Sequence, residues 1–206
     1  MHRSLARLAP VLAVLVLPLG ATAQTNVENP ADPYLHPQTG MAFPARVGDS
    51  VRHQVVRYAP DGSDMGFGYQ IVRDGKMVAY LSIFVYPAPA LDKDTPDARQ
   101  RACAALSDGI KSDIKSHEPT ATLVTEQSVS APSATFRATG LRVVYTGGSG
   151  AFDGTEQPLR EQNDLFCFAG NKWLVAYRVT MPAGTDATAD VERVERAIAW
   201  PASLAG

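Results

Sequence analysis

The sequence predicts an α+β domain: a twisted antiparallel β-sheet with helices packed on it. Three observations predict it. Short β-rich runs separated by turn signals follow one another in hairpin succession. Two segments, near 95–117 and 186–199, instead repeat apolar residues at three- and four-residue spacing. A chain of 206 residues, 45% of them hydrophobic, is long enough for one domain with a sizeable core and short for two.

Residues 1–23, MHRSLARLAPVLAVLVLPLGATA, are expected to be a cleaved signal peptide. Arg3 and Arg7 precede an apolar run from Leu8 to Leu19, and Ala21-Thr22-Ala23 is a small-x-small cleavage site, so the cut falls between Ala23 and Gln24. The run is shorter than the roughly 20 apolar residues a bilayer span needs, and Pro10 and Pro18 interrupt it. No transmembrane segment is expected once the signal is removed. The Ala-rich leader resembles bacterial ones, which places the mature chain in the periplasm or the medium. The whole chain has 19 basic and 21 acidic residues; without Arg3 and Arg7 the balance is 17 to 21, a net charge of −4. A protein that grips nucleic acid by its phosphates is basic, so nucleic acid is not an expected partner.

Residues 24–40 hold three prolines and little periodicity, and read as a flexible or draped N-terminal arm. His36 in this arm is expected to be solvated. The single domain is expected over 41–206. Its first strand covers 47–58 and ends at the turn Pro60-Asp61-Gly62-Ser63. Runs at 66–73 and 77–86 flank Asp74-Gly75-Lys76, a strong hairpin signal. The second run is apolar at both parities, as a central strand covered on both faces would be. Its aromatic residues, with Phe67 and Tyr69 of the first, read as core before they read as a stacking platform.

Thr95 can cap the first helix, Pro96 suits its first position, and Asp97 complements its positive end. Ala98, Ala102, Ala105, Leu106, Gly109, Ile110 and Ile114 form its apolar stripe. Asp92 and Asp94 beside Asp97 read as helix-end electrostatics. Strands are expected again at 120–130 and 135–146, then a flexible glycine-rich tip at 147–154. Two further strands at 159–168 and 172–181 flank Ala169-Gly170-Asn171. In the last helix Ala187, Val191, Val194 and Ile198 line up, Glu192 and Arg196 form an i,i+4 pair, and Trp200-Pro201 closes the element.

Cys103 lies at the edge of the first helical stripe and Cys167 in a strand; the chain has no other cysteine. An exported chain meets an oxidising compartment, which favours a structural disulfide, with two buried thiols as the alternative. A reactive cysteine would want a C-x-x-C motif or a neighbouring base, and neither is visible. A disulfide would require the first helix to lie over the strand carrying Cys167, because bridged Cα atoms come within about 7 Å.

The order of elements carries a resemblance: a signal peptide, hairpin runs beginning near Phe43-Pro44, and a helix headed by Thr95-Pro96-Asp97. Strands then end in Leu165-Phe166-Cys167 and Trp173-Leu174-Val175, before a last helix with Trp200-Pro201. This resembles small uncharacterised secreted or periplasmic bacterial proteins and, more loosely, is similar to the PsbP-like fold. The resemblance implies an α/β/α sandwich and proteins that assist assemblies rather than catalyse; it assigns no functional residue.

The sequence carries no recognised catalytic or metal-binding motif. His2, His36, His53 and His117 lack the spacing of a zinc site. Gly147-Gly148-Ser149-Gly150 lacks the lysine of a phosphate loop, and no G-x-S-x-G elbow occurs. Asp61, Gly62 and Asp64 lack the remaining ligands of a calcium loop. Arg46, Arg52, His53 and Arg57 read as a solvated basic face. No catalytic residue, metal ligand or cofactor is expected. The function expected is that of an exported, non-catalytic protein that binds an envelope or extracellular protein or supports an assembly. Alternatives are a carrier of a small apolar ligand between sheet and helix, and an enzyme with a dispersed site. The sequence leaves the oligomeric state open.

Overall fold

A computed structural model describes residues 24–133 and 138–204. The expected signal peptide, with its cleavage residue Ala23, and Phe136 of the expected strand at 135–146 lie outside the described residues.

The described residues open with four two-residue strands, β1 (Thr25–Asn26), β2 (Tyr34–Leu35), β3 (Ala42–Phe43) and β4 (Arg46–Val47). Three longer strands follow: β5 (Ser50–Arg57), β6 (Met65–Arg73) and β7 (Lys76–Pro87). Helix α1 (Pro96–His117) leads to β8 (Thr122–Ser130), β9 (Thr139–Phe152), β10 (Thr155–Ala169) and β11 (Trp173–Pro182). Helix α2 (Thr188–Ala197) and a single 3-10 turn, Ala202–Leu204, complete it. Nine strands form one sheet in the order β1-β5-β6-β7-β11-β10-β9-β8, with β4 beside β5; β2 and β3 pair separately. Every pairing is antiparallel.

Turn chemistry sets the hairpins. Asp74 and Gly75 both take positive φ, 52° and 72°, as a two-residue I′ turn requires. Asp153 and Gly154 do the same at 49° and 75°. The expected flexible tip at 147–154 is therefore corrected. β9 runs through Gly147–Phe152 with a register shift opposite Leu159/Arg160, and only Asp153-Gly154 turns. Gly170 has no room for a side chain: a Cβ there would lie 2.6 Å from the Ser203 carbonyl, at φ +56°. The β10–β11 turn docks there on the C-terminal 3-10 turn, with the Gly170 amide donating to the Leu204 carbonyl at 2.8 Å.

The pleat sends alternate residues to two unlike faces. On one face Met65, Phe67, Tyr69 and Ile71 of β6, Leu81, Ile83 and Val85 of β7, and Val175, Tyr177 and Val179 of β11 are buried almost completely. Ala187, Val191, Val194 and Ile198 of the α2 region close over them as the sequence pattern predicts, joined by Trp200, Leu204, Met41 and Phe43. Phe43 stacks on Phe67 at 3.5 Å, and Trp200 donates its indole N–H to the Tyr177 hydroxyl at 2.9 Å. Arg73 ties the β6–β7 hairpin to Asp190 of α2.

The arm of residues 24–40 is draped over this core. β1 pairs with β5, and His36 packs edge-on to Trp173 at 1% exposure, correcting its expected solvation. Arg52 is likewise not part of a solvated basic face: it is buried and donates to the carbonyls of Phe43 and Ala31.

The expected α+β sandwich is corrected too. Strands take 49% of the described residues and helices 20%, so the described protein is mostly β: a nine-stranded antiparallel sheet with two α-helices. The physical reason is how each face is closed. On the first, the segments around Met41–Phe43 and Trp200–Leu204 share the closure with the ten-residue α2. On the second, the 22 residues of α1 bury only Ser107 and Ile114, so this helix does not form a covering layer.

Candidate functional site

The second face of the sheet carries the candidate site. Along β7 the residues that alternate with the core are Tyr80, Ser82, Phe84 and Tyr86, all half-buried. In the ladder Phe84 stands between Gly66 and Ala176, and Ser82 between Gly68 and Arg178. The two glycines leave space that rings fill. A Cβ on Gly66 would meet the Tyr58 ring at 3.0 Å and Phe84 at 3.5 Å; one on Gly68 would meet the His53 ring at 2.6 Å. Tyr58 and Phe84 lie 6.3 Å apart, and Tyr80 contacts Phe152 at 5.3 Å and His53 at 6.0 Å.

Helix α1 stands over the neighbouring strands. Thr95 caps it by accepting from the Ala98 amide at 3.2 Å. Arg99 pairs with Asp94 at 2.5 Å, which accords with an electrostatic role for that carboxylate. Ile114 and Ile110 rest on Val143, Tyr145 and Ala121, while Lys111 bridges Asp108 and Glu126. Cys103 and Cys167 form the disulfide, at a Cα–Cα distance of 5.9 Å, and so tie α1 to β10.

Between α1 and the sheet lies a cleft of about 290 Å³. Phe84, Tyr86 and Ala176 form its floor, and Gly109, Ile110, Asp113 and Ile114 its helical wall. Glu161, Asn163 and Arg178 supply polar groups, and they hold one another: Arg178 pairs with Glu161 at 3.0 Å, and the Asn163 amide donates to Glu161 at 2.9 Å. The volume is at the lower end of what small-ligand sites offer, and an apolar floor with a few fixed polar groups is their usual lining. Sequence reasoning assigned Tyr80, Phe84 and Tyr86 to the core. The strict alternation of β7, with Ala79, Leu81, Ile83 and Val85 on the other parity, is the signal that separates the two sets.

A second polar cluster sits between the sheet and α2. Arg142 binds both oxygens of Asp164, at 2.7 and 2.5 Å. Glu195 of α2, at 4% exposure, has one carboxylate oxygen with no hydrogen-bond partner. Burial, with Asp164 adding to it and Arg142 opposing it, pushes its carboxyl up to about 7. The adjoining space, about 10 Å³, has room for a water molecule and no more.

The histidines do not converge. His36 is in the core, His53 lies over Gly68, and His117 pairs with Asp113 at 3.2 Å on the exposed side of α1. Among the described residues, no group of three or more His, Cys, Asp or Glu side chains is placed to hold a metal ion, and no helix is long and apolar enough to cross a membrane. No protein-family model and no curated protein matches the chain.

Proposed function

We propose that this is an exported binding protein that carries a small, largely apolar ligand in the cleft between α1 and the second sheet face. The cleft itself carries this reading: rings and aliphatic side chains form its floor and wall, bordered by a mutually paired Arg178–Glu161–Asn163 set. Those polar groups are engaged with one another, which suits recognition better than proton transfer. Export to the periplasm or the medium rests on the leader pattern, and the disulfide is compatible with it.

The test is titration with 2-phenylethanol, followed by amide chemical shifts and by native mass spectrometry of the oxidised protein. Shifts are expected at Phe84, Tyr86, Ile110, Ile114 and Ala176. Ala176→Phe fills the floor of the cleft and should weaken binding about tenfold or more. Unchanged affinity in that variant, or shifts confined to other surfaces, would rule the cleft out.

A protein partner is the second reading, favoured by β8. This nine-residue strand ends the sheet order, and Leu123 and Val124 on it are 41% and 59% exposed. A partner strand adding to this edge would protect the amides of 122–130 from exchange, and Val124→Lys would weaken its capture.

A further inference from the structure

One carboxylate beside Tyr86 of the cleft floor stands among rings without a counter-charge. Tyr58 donates its amide to the Asp64 carbonyl at 2.9 Å, which places the two residues opposite each other where β5 and β6 part. Met65 pairs with Val85 and Gly66 with Phe84, so the next rung sets Asp64 opposite Tyr86. Met65 faces the core; its neighbours Asp64 and Gly66 therefore face the cleft side. Asp64 is thus flanked across the ladder by Tyr58 and Tyr86, with Phe84 one rung along. It is half-buried. Among the described residues its carboxylate has no ion pair and no hydrogen bond; burial chiefly, and the nearby Asp64 charge in addition, disfavour ionisation of the Tyr58 and Tyr86 phenols. Arg178, on the same sheet face, is already held by Glu161.

An unpaired carboxylate sharing a face with three rings is a poor site for an anion. It is a good one for an organic cation, whose charge the ring faces and the carboxylate both attract. We propose that the ligand of the cleft is an organic ammonium, its apolar body on Phe84, Tyr86 and Ile110 and its cationic end beside Asp64 between Tyr58 and Tyr86. This deepens the carrier reading and rests on it.

The experiment compares three probes of one skeleton on the intact oxidised protein: phenethylammonium, neutral 2-phenylethanol and anionic phenylacetate, titrated by calorimetry and by the ring signals of Tyr58 and Tyr86. Phenethylammonium should bind roughly five- to twentyfold more tightly than the alcohol, and phenylacetate least. Asp64→Asn, close in shape and at a half-exposed position, should bring the ammonium down to the alcohol while leaving the alcohol unchanged; Tyr58→Leu should weaken the ammonium selectively. Equal binding of ammonium and alcohol would overturn the cation site and leave the carrier reading standing. A preference that survives Asp64→Asn would overturn the assignment to Asp64. Failure of all three probes at millimolar concentration would remove the carrier reading and this inference together.

Discussion

His36 and Glu195 are both enclosed by the first face of the sheet, and their titrations pull in opposite directions. His36 accepts hydrogen bonds at Nδ1 from the amides of Gln38 and Thr39, while burial lowers its pKa from the ordinary 6.5 to about 4. Between those values the unfolded chain binds a proton that the folded chain refuses, so stability rises with pH across that window. Glu195 does the reverse: its pKa rises from 4.5 to about 7, the folded chain keeps a proton that the unfolded one releases, and stability falls as pH rises between those values. The two slopes oppose each other from about pH 4.5 to 6.5, so the parent's melting temperature should change little there. Glu195→Gln should unmask the rising limb and be more stable than the parent at pH 8 by about 1–3 kcal/mol. His36→Asn should show only the falling limb. Thermal melts over this pH range check it, and a Glu195→Gln slope matching the parent would show that the Glu195 carboxyl is not protonated in the fold.

At the scale of elements, α1 depends on its tether more than on its packing. The predicted stripe is real in spacing, yet Ala98, Ala102 and Leu106 are only half-buried and Ala105 is exposed. α2, at less than half the length, sinks Val191 and Val194 fully into the core and is tied down by Asp190 to Arg73. Cys103 and Cys167 are 64 residues apart, and closing such a loop stabilises by about 4 kcal/mol in the chain-entropy account. The Cys103→Ser/Cys167→Ser double variant should melt well below the parent. In hydrogen exchange, its α1 amides should open before those of β6, β7 and β11. Protection of α1 equal to that of the central strands would show that its few apolar contacts suffice to hold it. The same variant should loosen the helical wall of the cleft and weaken 2-phenylethanol binding.

Across the whole molecule the two faces should report separately. Trp173 and Trp200 are both buried in the first-face core, whereas α1, the longer helix, lies on the second face. In reducing denaturant the helical circular dichroism should begin to fall before tryptophan emission shifts; coincident curves would mean that the faces unfold as one unit. The hairpins, the Thr95 cap, the α2 stripe and the cysteine pair were legible because each is local or compositional: a turn needs positive φ, a cap needs an oxygen, and two cysteines with no third in the chain have few fates. The β9–β10 turn was readable at Asp153-Gly154 as well, but the neighbouring glycines masked it. The burial of His36 and Arg52, the weak seating of α1 and the half-buried rings of β7 were not legible. A residue pattern tells which side chains share a face, not what covers that face. The residue pattern alone specified the longer strands, most of the turns and the two amphipathic helices, but not the four short N-terminal strands or the run of β9 through Gly147–Phe152. That the segments around Met41–Phe43 and Trp200–Leu204 seal one face while α1 bridges part of the other comes from tertiary contacts, because burial depends on segments far apart in the chain. The cleft, and Asp64 among its rings, exist through those contacts.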